Sequence, residues 1–142
     1  MSVNETSTGD GPDGRATARD ERPGQLTQVT RAMVAIYKEQ FGRGPTHAHS
    51  HYAGPDMIVC ALEETLTPIE HTLVAIGEHQ RLRDIRMLFQ HTAEDTFRSA
   101  VEEITGRKVI AFSSGFDTKA DVATEVFLLE RIHPHVPGPA AP

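Results

Sequence analysis

The sequence has little cysteine, no excess of positive charge and no long apolar run, and each shortage removes a class of function. A single cysteine, Cys60, stands among 142 residues. It has no partner for an internal disulfide, and its place inside an apolar stretch reads as a small core hydrophobe rather than a reactive thiol. Lys plus Arg total 14 against 20 Asp plus Glu, a net charge of -6, so no summed positive field draws phosphate backbones and nucleic acid is not an expected partner. The longest uninterrupted apolar run is Met57 to Leu62, far below the roughly 18 to 20 residues that cross a bilayer. Membrane insertion is therefore not expected. The first residues, MSVNETSTGDGPDGRATARDERPG, have neither a basic start leading into an apolar stretch nor an Arg-rich, acid-poor amphipathic pattern, which points to the cytoplasm.

Composition divides the chain into three parts. Residues 1–25 hold few apolar side chains among Gly, Ser, Thr, Asp and Glu, too few to offset the entropy of ordering them, and read as a disordered tail. Residues 26–132 carry nearly all the large apolar groups, enough for one unaided core. Residues 133–142, HPHVPGPAAP, hold four of the nine prolines, which favours an extended, disordered end.

Within the middle part, Leu26, Val29, Met33, Ile36, Tyr37 and Phe41 recur at spacings of three and four, the stripe of a helix that Gly42 ends. Thr46 to Tyr52 alternates, meets Ala53-Gly54-Pro55-Asp56, and leads into the apolar strand Met57 to Leu62; turn chemistry between two strand-like runs predicts a hairpin. Thr67-Pro68-Ile69-Glu70 is a capping box with proline at the first helical position, so a short helix starts there and ends near Gly77. Leu82, Ile85, Phe89, Ala93, Phe97, Ala100 and Ile104 mark a long helix that stops at Gly106. Val109 to Ser113 and Val122 to Leu129 flank Gly115-Phe116-Asp117 as a second hairpin. The fold class is α+β, ordered helix, hairpin, helix, helix, hairpin. One antiparallel four-stranded sheet is expected, with the helices packed on one face. Both halves read helix, Gly-Arg, strand, turn, strand, with Gly42-Arg43 and Gly106-Arg107 64 residues apart, the pattern a distant duplication would leave.

The most conspicuous chemical pattern is His47-Ala48-His49-Ser50-His51, which places three imidazoles on one face of a strand. Positions i and i+2 lie about 7 Å apart but i and i+4 about 13 Å, so at most two neighbours could share an ion with nitrogen bonds near 2 Å. Closing ligands would have to come from elsewhere, and His71, His79 and His91 show no paired spacing that supplies them. A polar, solvent-facing strand is the expected reading, with no metal. Gly42-Arg43-Gly44-Pro45 follows a helix instead of preceding one; the field at a helix C-terminus disfavours phosphate, so a capping turn is expected rather than a nucleotide cradle. Ser113-Ser114-Gly115 lacks the strand-to-helix setting of a nucleophile elbow, and no catalytic residue or cofactor is expected. Arg81, Arg83 and Arg86 with Met87, Leu88 and Phe89 would suit an amphipathic surface for a partner or an anionic membrane, but Leu82, Ile85 and Phe89 are expected to face the core with the arginines solvated or paired with acids of the tail or of a neighbouring subunit.

FGRGPT (Phe41 to Thr46), LTPIE (Leu66 to Glu70), LRDIR (Leu82 to Arg86) and ITGRKV (Ile104 to Val109), in that order, resemble a bacterial family named after MpsC, of a sodium-translocating, membrane-potential-generating system. The matching positions are Gly42, Arg43, Gly44, Pro45, Leu66, Thr67, Glu70, Gly106 and Arg107. The resemblance covers about residues 26 to 131 and implies a small soluble accessory or regulatory protein, non-catalytic, linked to a cation-translocating membrane system. The resemblance suggests a membrane-associated protein partner, and a sheet face left without helices, lined by His47, His49 and His51 with Arg43 beside them, suggests a homodimer or partner surface. The alternatives, in order, are a small ligand- or metal-binding module that uses the His47, His49 and His51 strand and an enzyme with an unrecognised site. Charge reversal at Arg43, or along Arg81, Arg83 and Arg86, is expected to weaken a partner contact while leaving the fold intact.

Overall fold

The helix-forming stripe of the first segment packs against a sheet built from the two hairpins. The structure, a computed structural model, describes residues 14–132; the first thirteen residues and the proline-rich stretch 133–142 lie outside the described residues. The elements are α1 (Gly14–Phe41), β1 (His47–Tyr52), β2 (Met57–Glu63), α2 (Pro68–Ala75), α3 (His79–Thr105), β3 (Val109–Asp117) and β4 (Val122–Leu129). The four strands form one antiparallel sheet in the order β1-β2-β4-β3. Helix α1 starts upstream of Leu26, where the apolar stripe begins, and Pro23 lies within it. At this level the helix is held by side-chain contacts to the first hairpin: Arg22 donates to Gly54 O at 3.1 Å and lies over the Tyr52 ring, and the Tyr52 hydroxyl donates to Gln25 at 3.0 Å.

Period-two burial on the central strands defines the helix-covered face. Ile58, Cys60 and Leu62 of β2, and Ala123, Phe127 and Leu129 of β4, are all essentially buried, while their neighbours alternate outward. Val29, Met33, Ile36 and Tyr37 of α1 and Leu82, Ala93, Phe97 and Val101 of α3 complete the buried set. Its centre is aromatic: Tyr37, Phe41, Phe89 and Phe97 meet in tilted or edge-on pairs, and Phe97 stacks on Phe112 with centroids 5.5 Å apart. Each such side chain contributes roughly 1.5 to 3 kcal/mol by leaving water, so this layer supplies the main drive for folding.

The sequence pattern places the second turn too early. Strand β3 runs through Gly115 to Asp117, and the chain reverses at residues 118–121. Asp117 Oδ1 accepts from the Lys119 and Ala120 amides at 2.9 and 2.8 Å, an Asx turn that starts where the Gly115-Phe116-Asp117 pattern ends. Gly115 is instead a strand residue opposite Thr124, whose Oγ1 lies where a Cβ would come within 3.0 Å. Asp121 closes the turn at φ 56°, a left-handed backbone that an Asp tolerates better than most residues. Its carboxylate accepts from the Thr65 amide at 2.9 Å and the Leu66 amide at 3.2 Å, and Glu64 N donates to Asp121 O at 2.9 Å.

The two halves are arranged alike. Helix α1 lies on β1 and α3 on β3, and the second strands, β2 and β4, pair at the centre. Arg43 donates to Leu66 O at 2.8 Å, just beyond the end of β2, and Arg107 donates to Glu130 O, just beyond the end of β4. Each Gly-Arg pair thus ends its helix and clamps the chain leaving the second strand of its own half, the arrangement expected of a duplicated unit.

Asp121→Ala is expected to lower unfolding free energy by about 1 to 3 kcal/mol, since it strands two buried amides. Asp121→Asn, which keeps an acceptor and tolerates the left-handed backbone, should lose less. Urea denaturation of the three proteins measures the difference, and equal stability of Asp121→Ala and the parent would contradict the assignment.

Candidate functional site

Three of the four sequence motifs meet at one buried arginine. Thr67 caps α2, and its side chain and amide are engaged by Glu70 in a complete capping box. The same Glu70 carboxylate reaches across to α3, where Arg86 Nε and Nη2 donate to its two oxygens, each at 2.7 Å. Arg86 Nη2 also donates to Thr65 O at 3.0 Å. Phe41, from the first motif, lies 4.0 Å from the guanidinium carbon, and Phe116 lies 4.8 Å away on β3. Arg86 and Glu70 are only 2% and 5% exposed, so this is a bidentate ion pair inside the protein, not a surface bridge. Arg86 Nη1 has no hydrogen-bond partner among the described residues.

A second buried carboxylate feels the charge of the same arginine. Glu125, fully buried on β4, accepts from the Tyr37 hydroxyl at 2.5 Å and from Ser114 Oγ on β3. Cys60 is its cross-strand partner on β2. Burial pushes the Glu125 carboxyl up to about 7, against the opposing pull of the Ser114 and Tyr37 hydrogen bonds and of Arg86. Burial likewise raises the Tyr37 phenol, helped by the Glu125 charge, and lifts the Cys60 thiol to about 11, which keeps that sulfur an inert core group. Burial also acts to raise Glu70, but the bonds from Arg86 and from Thr67 outweigh it and hold that carboxyl below its usual range. The arrangement offers one proton-exchanging carboxyl near neutrality beside a fixed cation.

The arginine reading from sequence needs correction. Arg86 is not solvated: it follows Leu82 by four and precedes Ala93 by seven, the spacing of the buried stripe itself. Ile85, expected in the core, is 49% exposed in its place. Arg81 and Arg83 are exposed, with Arg81 pairing to Glu78 at 3.3 Å. Charge reversal at Arg86 would therefore attack the fold, not a surface, and Arg43 is likewise engaged, with Leu66 O. Glu125 carries no signal in the sequence reading, although it alternates with Ala123 and Phe127 on the covered face, and Ser114 serves as its hydrogen-bond donor rather than as a nucleophile.

The other motif residues have structural posts. Gly42 and Gly106 adopt positive φ of 78° and 70° as helix ends. Gly44 approaches Val34 closely, its missing Cβ position being 3.4 Å from a Val34 methyl, and Pro45 leads into β1. Arg107 also donates to Pro55 O and to Asp56 Oδ1 at 2.9 and 2.5 Å, tying the end of α3 to the first hairpin turn. The histidines of β1 sit on the helix-free face: His47, His49 and His51 are exposed and alternate with buried Ser50. His49 Nδ1 and His51 Nε2 lie 3.0 Å apart. His47 stands opposite Glu63, at the far end of the strand.

Two outcomes are expected. Glu70→Ala should cost about 3 to 5 kcal/mol by leaving Arg86 charged and unpaired, whereas the paired change Glu70→Leu with Arg86→Met should recover most of that loss; calorimetric unfolding of all three tests it. Glu125 favours the protonated form in the folded state, so its contribution is fully present below the ordinary 4.5 and lost as pH rises through about 7, up to about 3 kcal/mol. Glu70 acts in the opposite sense, its contribution being lost as pH falls through its lowered value. Stability measured from pH 5 to 8 should decline, and Glu125→Gln should flatten the decline.

Comparison with curated proteins gives no match, and comparison with solved structures gives none either. A family model described as "Na+-translocating membrane potential-generating system (MpsC)" matches residues 24–131, the span that holds all four motifs and every residue of the buried junction. The chain belongs to the MpsC family.

Proposed function

We propose that the chain is a non-catalytic accessory protein of a cation-translocating membrane system, acting by binding a membrane-associated protein partner and not by conducting ions itself. The family description supplies the link to a membrane system. No helix among the described residues is long and apolar enough to cross a membrane, so in this reading the ion pathway belongs to other components.

The observation that carries the proposal is a row of exposed apolar side chains on α2 and the start of α3. Ile69, Ile76, Ile85, Met87 and Leu88 are each about half to three-quarters exposed, although residues of that kind normally face inward. Ile69 lies in the first turn of α2 and Ile76 is the residue that caps its C-terminal end, and Ile85 and Leu88 share a face of α3 one turn apart. Arg81 and Arg83 border them and give the surface a polar, cationic rim, the composition of a protein-docking patch. The helices carrying it are held in place by the Glu70–Arg86 pair, so the patch is presented on a fixed support.

The test is co-purification with the membrane-embedded components of the system after detergent solubilisation. The combined substitution Ile76→Glu and Leu88→Glu should reduce retention at least roughly tenfold while leaving the unfolding midpoint almost unchanged, because both sites are exposed. Arg81→Glu with Arg83→Glu should weaken it less, and more strongly at low salt than at high. Retention of Ile76→Glu/Leu88→Glu equal to the parent would overturn the assignment, and equal binding to protein-free anionic vesicles would replace the protein partner with lipid.

A further inference from the structure

We propose that His49 and His51 form half of a divalent transition-metal site, completed by the same two histidines of a second copy of the chain. This inference rests on β1 and is independent of the α2–α3 surface. His49 Nδ1 and His51 Nε2 face each other at 3.0 Å, with ring centroids 5.1 Å apart and both residues exposed. Two nitrogens bound to one tetrahedral zinc at about 2.0 to 2.1 Å lie roughly 3.3 Å apart. The pair therefore stands near the bite distance of a single ion, and a small ring rotation separates the present hydrogen bond from shared coordination. His47 is too far along the strand to join.

One chain does not close the site. Among the described residues no group of three or more His, Cys, Asp or Glu converges on a common point, so a four-coordinate ion needs two ligands from outside. The position of β1 shows how a second copy supplies them. It is an edge strand, paired on one side only, with β2. Ala53 N–H donates to Met57 O at 2.8 Å, so by antiparallel alternation His49 and His51 direct their backbone groups toward β2, while Ala48, Ser50 and Tyr52 direct theirs to the open edge. That outward set is self-complementary about Ser50: in an antiparallel pair of β1 strands, Ser50 faces its own copy and Ala48 faces Tyr52. His49 then stands directly opposite His51 of the second copy, twice over, on the same helix-free face and with cross-strand Cβ distances of about 4.5 to 5.5 Å. Four imidazoles bracket one point. A groove of about 520 Å³ runs between α1 and β1, lined in part by Thr27, Thr30, Arg31, Ala48, His49 and Ser50, so α1 does not seal this edge. Imidazole ligands in that arrangement suit zinc, copper or nickel rather than magnesium or calcium.

Titration of the metal-free full chain with zinc chloride, followed by calorimetry and sedimentation velocity, tests the proposal. The expected result is about 0.5 zinc per chain with conversion of monomer to dimer, reversed by EDTA. His49→Ala and His51→Ala should each abolish both effects, and His47→Ala should leave both intact; circular dichroism confirms that the exposed substitutions preserve the fold. Binding of one zinc per chain without dimerisation would overturn the proposal by placing all the ligands within a single chain, His133 and His135 included. Absence of zinc binding, or a dimer indifferent to EDTA and to His49→Ala, would overturn it equally.

Discussion

The buried pair of Arg86 with Glu70 is the interaction to which the rest of the structure is fitted. A guanidinium taken out of water has a large desolvation cost that only well-placed acceptors and partner charges offset. Glu70 meets that need with both oxygens, Thr65 adds a carbonyl, and Phe41 and Phe116 cover the faces of the guanidinium. Each partner comes from a different element or its flank. The arginine therefore ties the first turn of α2, the α3 helix that carries it, the last residue of α1 and strand β3 to one point. Three of the four sequence motifs contribute to this junction, which explains why they are dispersed in sequence and conspicuous only as a set.

Much of the fold was legible because local chemistry and tertiary demand agree. The α1 stripe, the Thr67 capping box and the glycine ends of α1 and α3 each follow from rules acting within a few residues. The misplaced second turn arose where two local signals competed: Gly115 invites a turn, but the Asx bonds of Asp117 and the left-handed Asp121 hold one further on. The candidate site was less legible. Arg86 and Glu125 occupy core positions by periodicity, yet a charged residue on an apolar stripe reads as solvated unless its counter-charge is known, and that partner lies on another element. The facing rings of His49 and His51 were hidden for a different reason. Strand geometry sets the spacing of their Cβ atoms but leaves the ring torsions free.

The internal symmetry gives the two halves similar frames and different contents. Arg43 and Arg107 perform the same clamp, but the helix inserted after β2 has no counterpart after β4. That insertion brings Glu70 to Arg86 and with it the exposed isoleucines. The histidine-bearing edge belongs to the first half alone; the outer strand of the second half instead supplies Ser114 to the interior. The outer strand of the first half thus carries exposed histidines, while that of the second contributes Ser114 to the interior.

Helix α2, at eight residues, is too short to persist in water by its own hydrogen bonds. Glu70, however, is at once the third residue of its capping box and the counter-charge of a buried cation. Fraying the first turn of α2 would break the cap and expose Arg86 to an unpaired state together, so local opening is coupled to the loss of the core. A segment that would ordinarily exchange its amide protons as freely as a loop is thereby coupled to the opening of the core around Arg86.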